Sequence, residues 1–244
     1  MVQNEIIESR IKNAAPFVGC PPDIIQGLLK NAALQNHKKG RLLFIHEDPA
    51  DRYYFVVKGW VKLFRETLDG TQAVVDILGA GCFLGEKSVF QDGEYGYSAE
   101  IAEEAELVSL CTQDLKAELG KSHELALSML RHMADQNKKQ DMEIEHRALQ
   151  TAPQRIACFL LRLVDQSQKG TVITHLPYDK TLIASRLGMQ PETFSRALSK
   201  LKQETGIKVR GASVEVESVE RLKNYTCQTC SSDFPCRDLL KKSG

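Results

Sequence analysis

Between Thr112 and Gln150 the chain carries no proline and a single glycine, Gly120. Proline and glycine are the residues that end helices, so their absence predicts a long helix over the second part of this stretch. Within it Leu130, Ala134, Asn137, Asp141, Ile144 and Ala148 recur at alternating spacings of four and three, the seam of a coiled coil. Asn137 and Asp141 are polar, and a polar seam residue sets register and partner number at a cost in stability. A helix that merely joins two domains is the plainer alternative; the seam predicts dimerisation. At 244 residues, two domains are expected rather than one.

The two sides differ in charge. The whole chain of 244 residues balances 32 Lys+Arg against 32 Asp+Glu. From Arg41 to Cys111, however, six basic residues face thirteen acidic ones, and from Ala152 to Tyr225 twelve face seven. A basic C-terminal half is the electrostatic footprint of a phosphate-binding module, whereas the acidic half is repelled by nucleic acid and needs another role. A hydrophobic content of 42% is ample for buried cores in two domains. No run of about 18 apolar residues predicts a membrane span. The charged, amphipathic start "MVQNEIIESRIKN" lacks the apolar core of a signal peptide, so the expected location is the cytoplasm. Seven cysteines in a reducing compartment favour metal or redox chemistry over a disulfide framework.

Before the long helix, residues 4–35 read as helical, in "EIIESRIKNA" and "PPDIIQGLLKNAAL". From about Lys39 the rhythm turns to short β-rich runs: "RLLFIHED", "RYYFVVKGWVKLFRE", "QAVVDILGAGCFLG" and "SAEIAEEAELVSLC". Turn signals separate them at Glu47-Asp48-Pro49, Asp69-Gly70, Gly79-Ala80-Gly81 and Asp92-Gly93. That spacing predicts a small antiparallel barrel or jelly roll.

After the long helix, "QRIACFLLRLVD" predicts an amphipathic helix. "DKTLIASRLG" predicts a short one, with Asp179 as N-cap and Gly188 supplying the positive φ of a tight turn. Pro191 suits the first turn of the next helix. There Phe194, Ala197, Leu198 and Leu201 form one apolar stripe, and Glu192, Ser195, Arg196 and Ser199 fall opposite. Small Ala184 lets the two helices cross closely. Helix, glycine turn, helix is the pattern of a DNA-binding helix-turn-helix. "GIKVRGASVEVES" then reads as a two-stranded wing turning at Gly211.

The order β-roll, long helix, winged helix, together with several local strings, resembles the Crp/Fnr family of bacterial transcription regulators over about residues 20–222. "DPADRYYFVVKGWVKLFRETLDGTQAVVDILGAGCFLGEKSVF" resembles that family's β-roll, with Gly59, Gly70, Gly81 and Gly85 expected at turns; "PQRIACFLLRL" and "IASRLGMQPETFSRALSKL" resemble its C-terminal domain. The fold class implied is α+β: an antiparallel cyclic-nucleotide-binding-like jelly roll with N-terminal helices (1–113), a dimerisation helix (114–150), a winged helix-turn-helix (151–225) and a cysteine-containing tail (226–244). The implied partners are double-stranded promoter DNA, RNA polymerase and a second copy of the chain. The Fnr-like branch carries Glu-x-x-Ser-Arg, here Glu192-Thr193-Phe194-Ser195-Arg196; the extra arginine of the Crp branch is replaced by Pro191. The chemistry agrees: Arg196 can donate to both O6 and N7 of a guanine, and Glu192 can accept from a cytosine N4 amine. Ser195 is short enough to admit a thymine methyl. Lys180, Lys200, Lys202 and Arg210 are expected phosphate contacts, which position without specifying. Fnr-like members read TTGA half-sites arranged as a palindrome.

Three sensor chemistries are open. Cyclic-nucleotide-binding members have a Gly-Glu pair, here Gly85-Glu86, followed by an Arg-Ser that grips the phosphate; here Tyr97 precedes Ser98, and the bidentate guanidinium contact is missing. "CQTCSSDFPC" sets Cys227, Cys230 and Cys236 at a chelating spacing, suited to an iron–sulfur cluster or zinc. It resembles the cluster-binding cysteines of Fnr-type oxygen sensors, which usually stand at the N-terminus and in some members at the C-terminus. Cys111, Cys158 and His146 are fourth-ligand candidates by chemistry alone, and thiols that bind nothing are the alternative. Haem is the third: Cys20-Pro21 resembles a haem-ligating dipeptide, although Pro21-Pro22 also starts a helix. A metal-dependent enzyme of the cupin kind would need His and Glu clustered on neighbouring strands. No His-x-His occurs, and only His46 lies in the β-rich runs.

Overall fold

The structure, a computed structural model, describes residues 2–164 and 170–231, the side chains of 2–6 excepted. It resolves into two compact units, 1–136 and 137–244.

The first unit opens with helices α1 (Val2–Lys12) and α2 (Pro22–Leu29). Strands β1 (Ala33–His37), β2 (Leu42–Phe44), β3 (Arg52–Glu66), β4 (Gln72–Leu78), β5 (Phe83–Leu84) and β6 (Ser98–Cys111) follow, then helix α3 (Thr112–Lys121). All strand pairings are antiparallel, in the order β1-β6-β3-β4, with β2 added on β6 and β5 on β3. The long partners β3 and β6 bend, because register shifts near Val56, Lys58 and Trp60 break the ladder. Bending turns one face inward onto Val56, Val61, Leu63, Leu84, Ile101 and Leu107, the core of the roll. The outer face of the same strands (Tyr53, Phe55, Val108 and Leu110) packs with Phe17, Ile25 and Leu28 and with Leu115, Leu125 and Met129 of the helices. Alternate residues of one strand thus serve two cores, as the two-residue period of a strand requires.

Two sequence expectations are corrected here. The second N-terminal helix ends at Leu29, and Ala33 already begins β1, so "AAL" is not helical. Pairing with β6 across Ala33↔Ser109 to His37↔Ala105 overrides the local helix preference. It also makes His37 a strand residue, opposite Ala105. Gly59 stands inside β3 rather than at a turn. Its φ is +86°, and a Cβ there would lie 2.3 Å from Glu104 O on β6. Only glycine lets the two backbones approach at that bulge.

Helix α4 (His123–Leu149) runs from the first unit into the second. There α5 (Ala152–Leu163), β7 (Val172–His175), α6 (Lys180–Arg186), α7 (Pro191–Thr205), β8 (Lys208–Arg210), β9 (Ser213–Val216) and α8 (Val219–Thr226) follow. The wing is a three-stranded sheet, β7-β9-β8, not a two-stranded one; β7 pairs antiparallel with β9 from Val172↔Val216 to His175↔Ser213. Helix α5 buries Ile156, Ala157, Leu160 and Leu161 at the centre of the unit and packs on both α7 and α8. No described helix is long and apolar enough to cross a membrane.

Gly59→Ala is expected to destabilise the first unit by about 2 kcal/mol or more, from positive φ plus a backbone clash. Gly211→Ala, whose Cβ meets nothing within 4 Å, should cost only about 1 kcal/mol. Urea unfolding of the two variants measures the difference.

Candidate DNA interface and effector site

The helix-turn-helix forms for local reasons. Asp179 Oδ1 accepts from Leu182 N–H at 2.9 Å, capping α6. Gly188, at φ +66°, reverses the chain, and Met189 N–H returns to Ala184 O at 3.0 Å. Ala184 is fully buried, as close crossing of the helices requires. Pro191 then starts α7. Phe194, Ala197 and Leu201 are buried, while Glu192, Ser195, Arg196, Ser199, Lys200 and Lys202 are exposed and Thr193 is half-buried. The side chains expected to read bases therefore share one free face. Ser195, Arg196, Ser199, Lys200, Gln203 and Glu204 line a shallow open depression along it. Gln203, which the motif did not single out, lies seven residues beyond Arg196 and was readable from the helical period.

Glu192 and Arg196 are not spent on each other. Among the described residues neither Glu192 nor Arg196 makes an ion pair, so the ordinary surface i,i+4 bridge does not form; Lys200 does reach Glu204, at 3.9 Å. Lys180 starts α6 and Arg210 ends β8, both exposed. Lys208, also on the wing, is held by Glu217 and Glu215 and its pKa is raised by those bonds. The expected phosphate contacts thus bracket α7 at the start of α6, along α7 and on the wing. Sequence reasoning missed Arg186, whose guanidinium grips the Glu143 carboxylate with both nitrogens and ties α6 to α4. It also missed Arg155, which donates to Leu187 O in the turn at 2.9 Å.

In the first unit, Gly85 and Glu86 begin a 3-10 turn, Glu86–Phe90, with Gly85 at φ +84°. Glu86 is 2% exposed, its Oε1 3.8 Å from His132 Nε2 on α4 and its Oε2 without a hydrogen-bond partner among the described residues. The Gly85 N–H donates to the Tyr97 hydroxyl at 3.1 Å. Burial, and then the charge of Glu86, hold the Tyr97 pKa above the usual phenol range, so this group is neutral. Ser98 Oγ accepts from His46 N–H at 3.0 Å. Gly85, Glu86 and the Tyr97 phenol come together, whereas Ser98 is engaged by His46 instead, and the phenol stands where the resemblance places a guanidinium.

The C-terminal thiols stand on a different body. Cys227 opens a 3-10 turn directly after α8, and Cys230 Sγ is 3.9 Å from Cys227 O. The Cys227 thiol is pushed up to about 11, first by burial and then by its neighbours Cys158 and Cys230. Cys236 lies outside the described residues. Cys20 is 6% exposed in the outer core, its pKa raised by burial and by Glu124. Among the described residues no three His, Cys, Asp or Glu side chains stand at metal-binding distance.

Comparison with known proteins decides the family. A cyclic nucleotide-binding domain model matches residues 34–122, and a Crp-like helix-turn-helix domain model matches 154–225. The nitrogen fixation regulation protein FixK of Rhizobium meliloti is 30% identical, over 77% of this chain and 84% of its own. The chain belongs to the Crp/Fnr family of transcription regulators. Among other Crp/Fnr relatives, a CRP-like cAMP-activated global transcriptional regulator of Mycobacterium tuberculosis is 28% identical over 87% of this chain and 96% of its own. A crystal structure from Ruegeria pomeroyi, of a protein assigned to cyclic nucleotide binding, is 33% identical with a TM-score of 0.64, covering 89% of this chain and 96% of that one. In this Crp/Fnr chain a domain of the cyclic nucleotide-binding type precedes a Crp-like helix-turn-helix domain.

Proposed function

We propose that this Crp/Fnr regulator binds, as a homodimer, a palindrome of the form TTGA–N6–TCAA, and that its tail cysteines make the binding responsive to oxygen or nitric oxide. The observation that carries the DNA reading is the exposed, unpaired set Glu192, Ser195 and Arg196 on the outward face of α7. In the major groove Arg196 donates two bonds to guanine O6 and N7, Glu192 accepts from cytosine N4, and Ser195 leaves room for a thymine methyl. Lys180, Lys200, Lys202 and Arg210 take phosphates on either side, so affinity falls steeply with salt. A regulator of this kind acts through RNA polymerase at promoters, which the Crp/Fnr resemblance supports.

Support for the dimer comes from α4. All six seam positions, Leu130 through Ala148, are exposed in the single chain. Leu130 and Ile144 show 59% and 66% of their surface. An apolar stripe of this kind on a long helix is covered by a second copy of the same helix. Pairing places two recognition helices about 34–36 Å apart, one turn of DNA.

For the signal, the cysteine tail is favoured over a cyclic nucleotide because Tyr97 stands where the resemblance puts the phosphate-gripping arginine, and its hydroxyl is taken up by the Gly85 N–H. The cAMP-activated relative keeps the nucleotide reading in view, as does the Gly85-Glu86 pair. Cys227, Cys230 and Cys236 would be the thiolates to hold an iron–sulfur centre, which would supply redox chemistry sensitive to oxygen or nitric oxide. The chain's part is to hold the tail close: Ser231 donates its N–H and its hydroxyl to the Glu145 carboxylate on α4, at 2.5 and 2.8 Å. Loss of the centre then frees a segment anchored to the dimer helix.

Selection from random duplex DNA is expected to return TTGA–N6–TCAA, and an unrelated site would overturn the reading. Ile144→Glu, at an exposed position, should leave the fold intact but give monomers with operator binding lost, by light scattering and gel shift. A variant that stays dimeric would remove the seam from the account.

A further inference from the structure

Arg147, in the last turn of α4, has an acid at the ordinary bridging spacing on its own helix, Glu143, four residues earlier. Both oxygens of that carboxylate are taken by Arg186 instead. Arg147 is exposed, and among the described residues it has no ion pair or hydrogen bond. A second guanidinium stands close by. Gly188 has no side chain, and the point where a Cβ would project lies 3.7 Å from Arg147 Nε and 3.8 Å from Arg155 Nη1. Two cations, from α4 and α5, thus converge on one point over the glycine turn, neither paired with a carboxylate among the described residues. Like charges so placed repel, and an anion between them turns the repulsion into attraction. Burial first, and then the Arg147 charge, lower the Arg155 pKa. Arg155 also keeps an open donor: its Nη1 donates to Leu187 O at 2.9 Å, but its buried Nε has no partner among the described residues.

We propose that Arg147 and Arg155 clamp a backbone phosphate of the DNA over the Gly188 turn, so that the duplex is held by the end of α4 as well as by α7. The inference rests on the DNA reading above and adds a contact from outside the helix-turn-helix.

Chemistry and reach agree. Guanidinium groups present forked N–H donors that match phosphate oxygens, and two of them can share one phosphate. Beyond the glycine and its chain neighbours no heavy atom lies nearer to the point over Gly188 than 3.7 Å. An oxygen therefore fits there, and a small rotation of exposed Arg147 brings its donors to the usual 2.7–2.9 Å. In a helix-turn-helix the first helix crosses the backbone and the start of the second enters the major groove, so the turn between them passes the groove wall. Gly188 is exposed and stands four residues before Glu192, at most about 14 Å along the chain. The groove is about 12 Å wide, so that reach spans from base edge to phosphate. The plainer role for Arg147 is to face the last carbonyls of α4, where a cation is favourable. That role makes no use of Arg155 and gives no dependence on DNA.

The test titrates full-length wild type, Arg147→Gln and Lys138→Gln against operator and unrelated duplexes over a range of salt. Lys138 is another exposed cation of α4, nine residues earlier. Arg147→Gln should bind roughly tenfold more weakly, by the same factor on both duplexes, and its salt slope should fall by about one per protomer. Lys138→Gln should keep the wild-type slope. In a second arm, single phosphates of the operator are replaced in turn by uncharged methylphosphonate. One position in each half-site should weaken wild type and leave Arg147→Gln unaffected; each protein is its own reference, so variant stability does not enter. If wild type binds no duplex, the DNA reading falls and the clamp with it. If wild type binds but Arg147→Gln matches its affinity and slope, or Lys138→Gln loses as much, the DNA reading stands and the clamp is overturned. Coinciding methylphosphonate scans overturn it too. A melting temperature that inorganic phosphate alone raises in wild type but not in Arg147→Gln would then give the site to a free anion.

Discussion

Burial of Phe194, Ala197 and Leu201 against α5 decides which way the recognition helix faces. Each side chain of that size gains about 1.5–3 kcal/mol on leaving water, except small Ala197, which gains less. A rotation of α7 that turned Arg196 inward would forfeit this and bury an unpaired guanidinium, at a further cost of several kcal/mol. With 3.6 residues per turn, Glu192, Ser195 and Arg196 then have nowhere to point but outward. The Asp179 cap, the Gly188 turn and the Arg186–Glu143 and Arg155–Leu187 bonds are arranged around that one packing decision.

Much of this was legible because it depends on local period. The 3.6-residue stripe of α7, the Asp-capped α6, the two-residue alternation of β3 and the breaker-free run of α4 all carry their structure in their own residues. What was less legible depends on partners distant in sequence. Strand β1 follows a helix across a turn marked only by Asn31, and its five residues show no strand alternation of their own; pairing with β6 fixes it. Strand β7, "VITH", is too short to show a period and is fixed by β9. Gly59 reads as a turn glycine, but its reason is the approach of Glu104 and Ala105 from β6.

The sites divide in the same way. The residues proposed to read DNA, Glu192 to Arg196, span about one helical turn, and their spacing alone places them together. The pocket residues Gly85, Glu86, Tyr97 and Ser98 were named in sequence, yet their chemistry was not fully visible there. That the Tyr97 hydroxyl takes the Gly85 N–H, and that His132 from α4 approaches buried Glu86, are facts of packing. The Gly85 turn is thus closed by a buried phenol of the neighbouring strand region rather than left open. Likewise Cys227 and Cys230 advertise themselves by spacing, whereas the bonds that Gln154 makes with Tyr225 and Thr226, just before them, are facts of packing.

The central claim is that Arg196 reads a specific guanine from the free face of α7. A double-mutant cycle tests it most directly: wild type and Arg196→Ala, each titrated against the TTGA palindrome and against the same duplex with the guanine pair replaced, at fixed salt. The account predicts that wild type loses about 1–3 kcal/mol of binding on the base change and that Arg196→Ala binds both duplexes equally. An Arg196→Ala protein that still discriminates as strongly as wild type would contradict it.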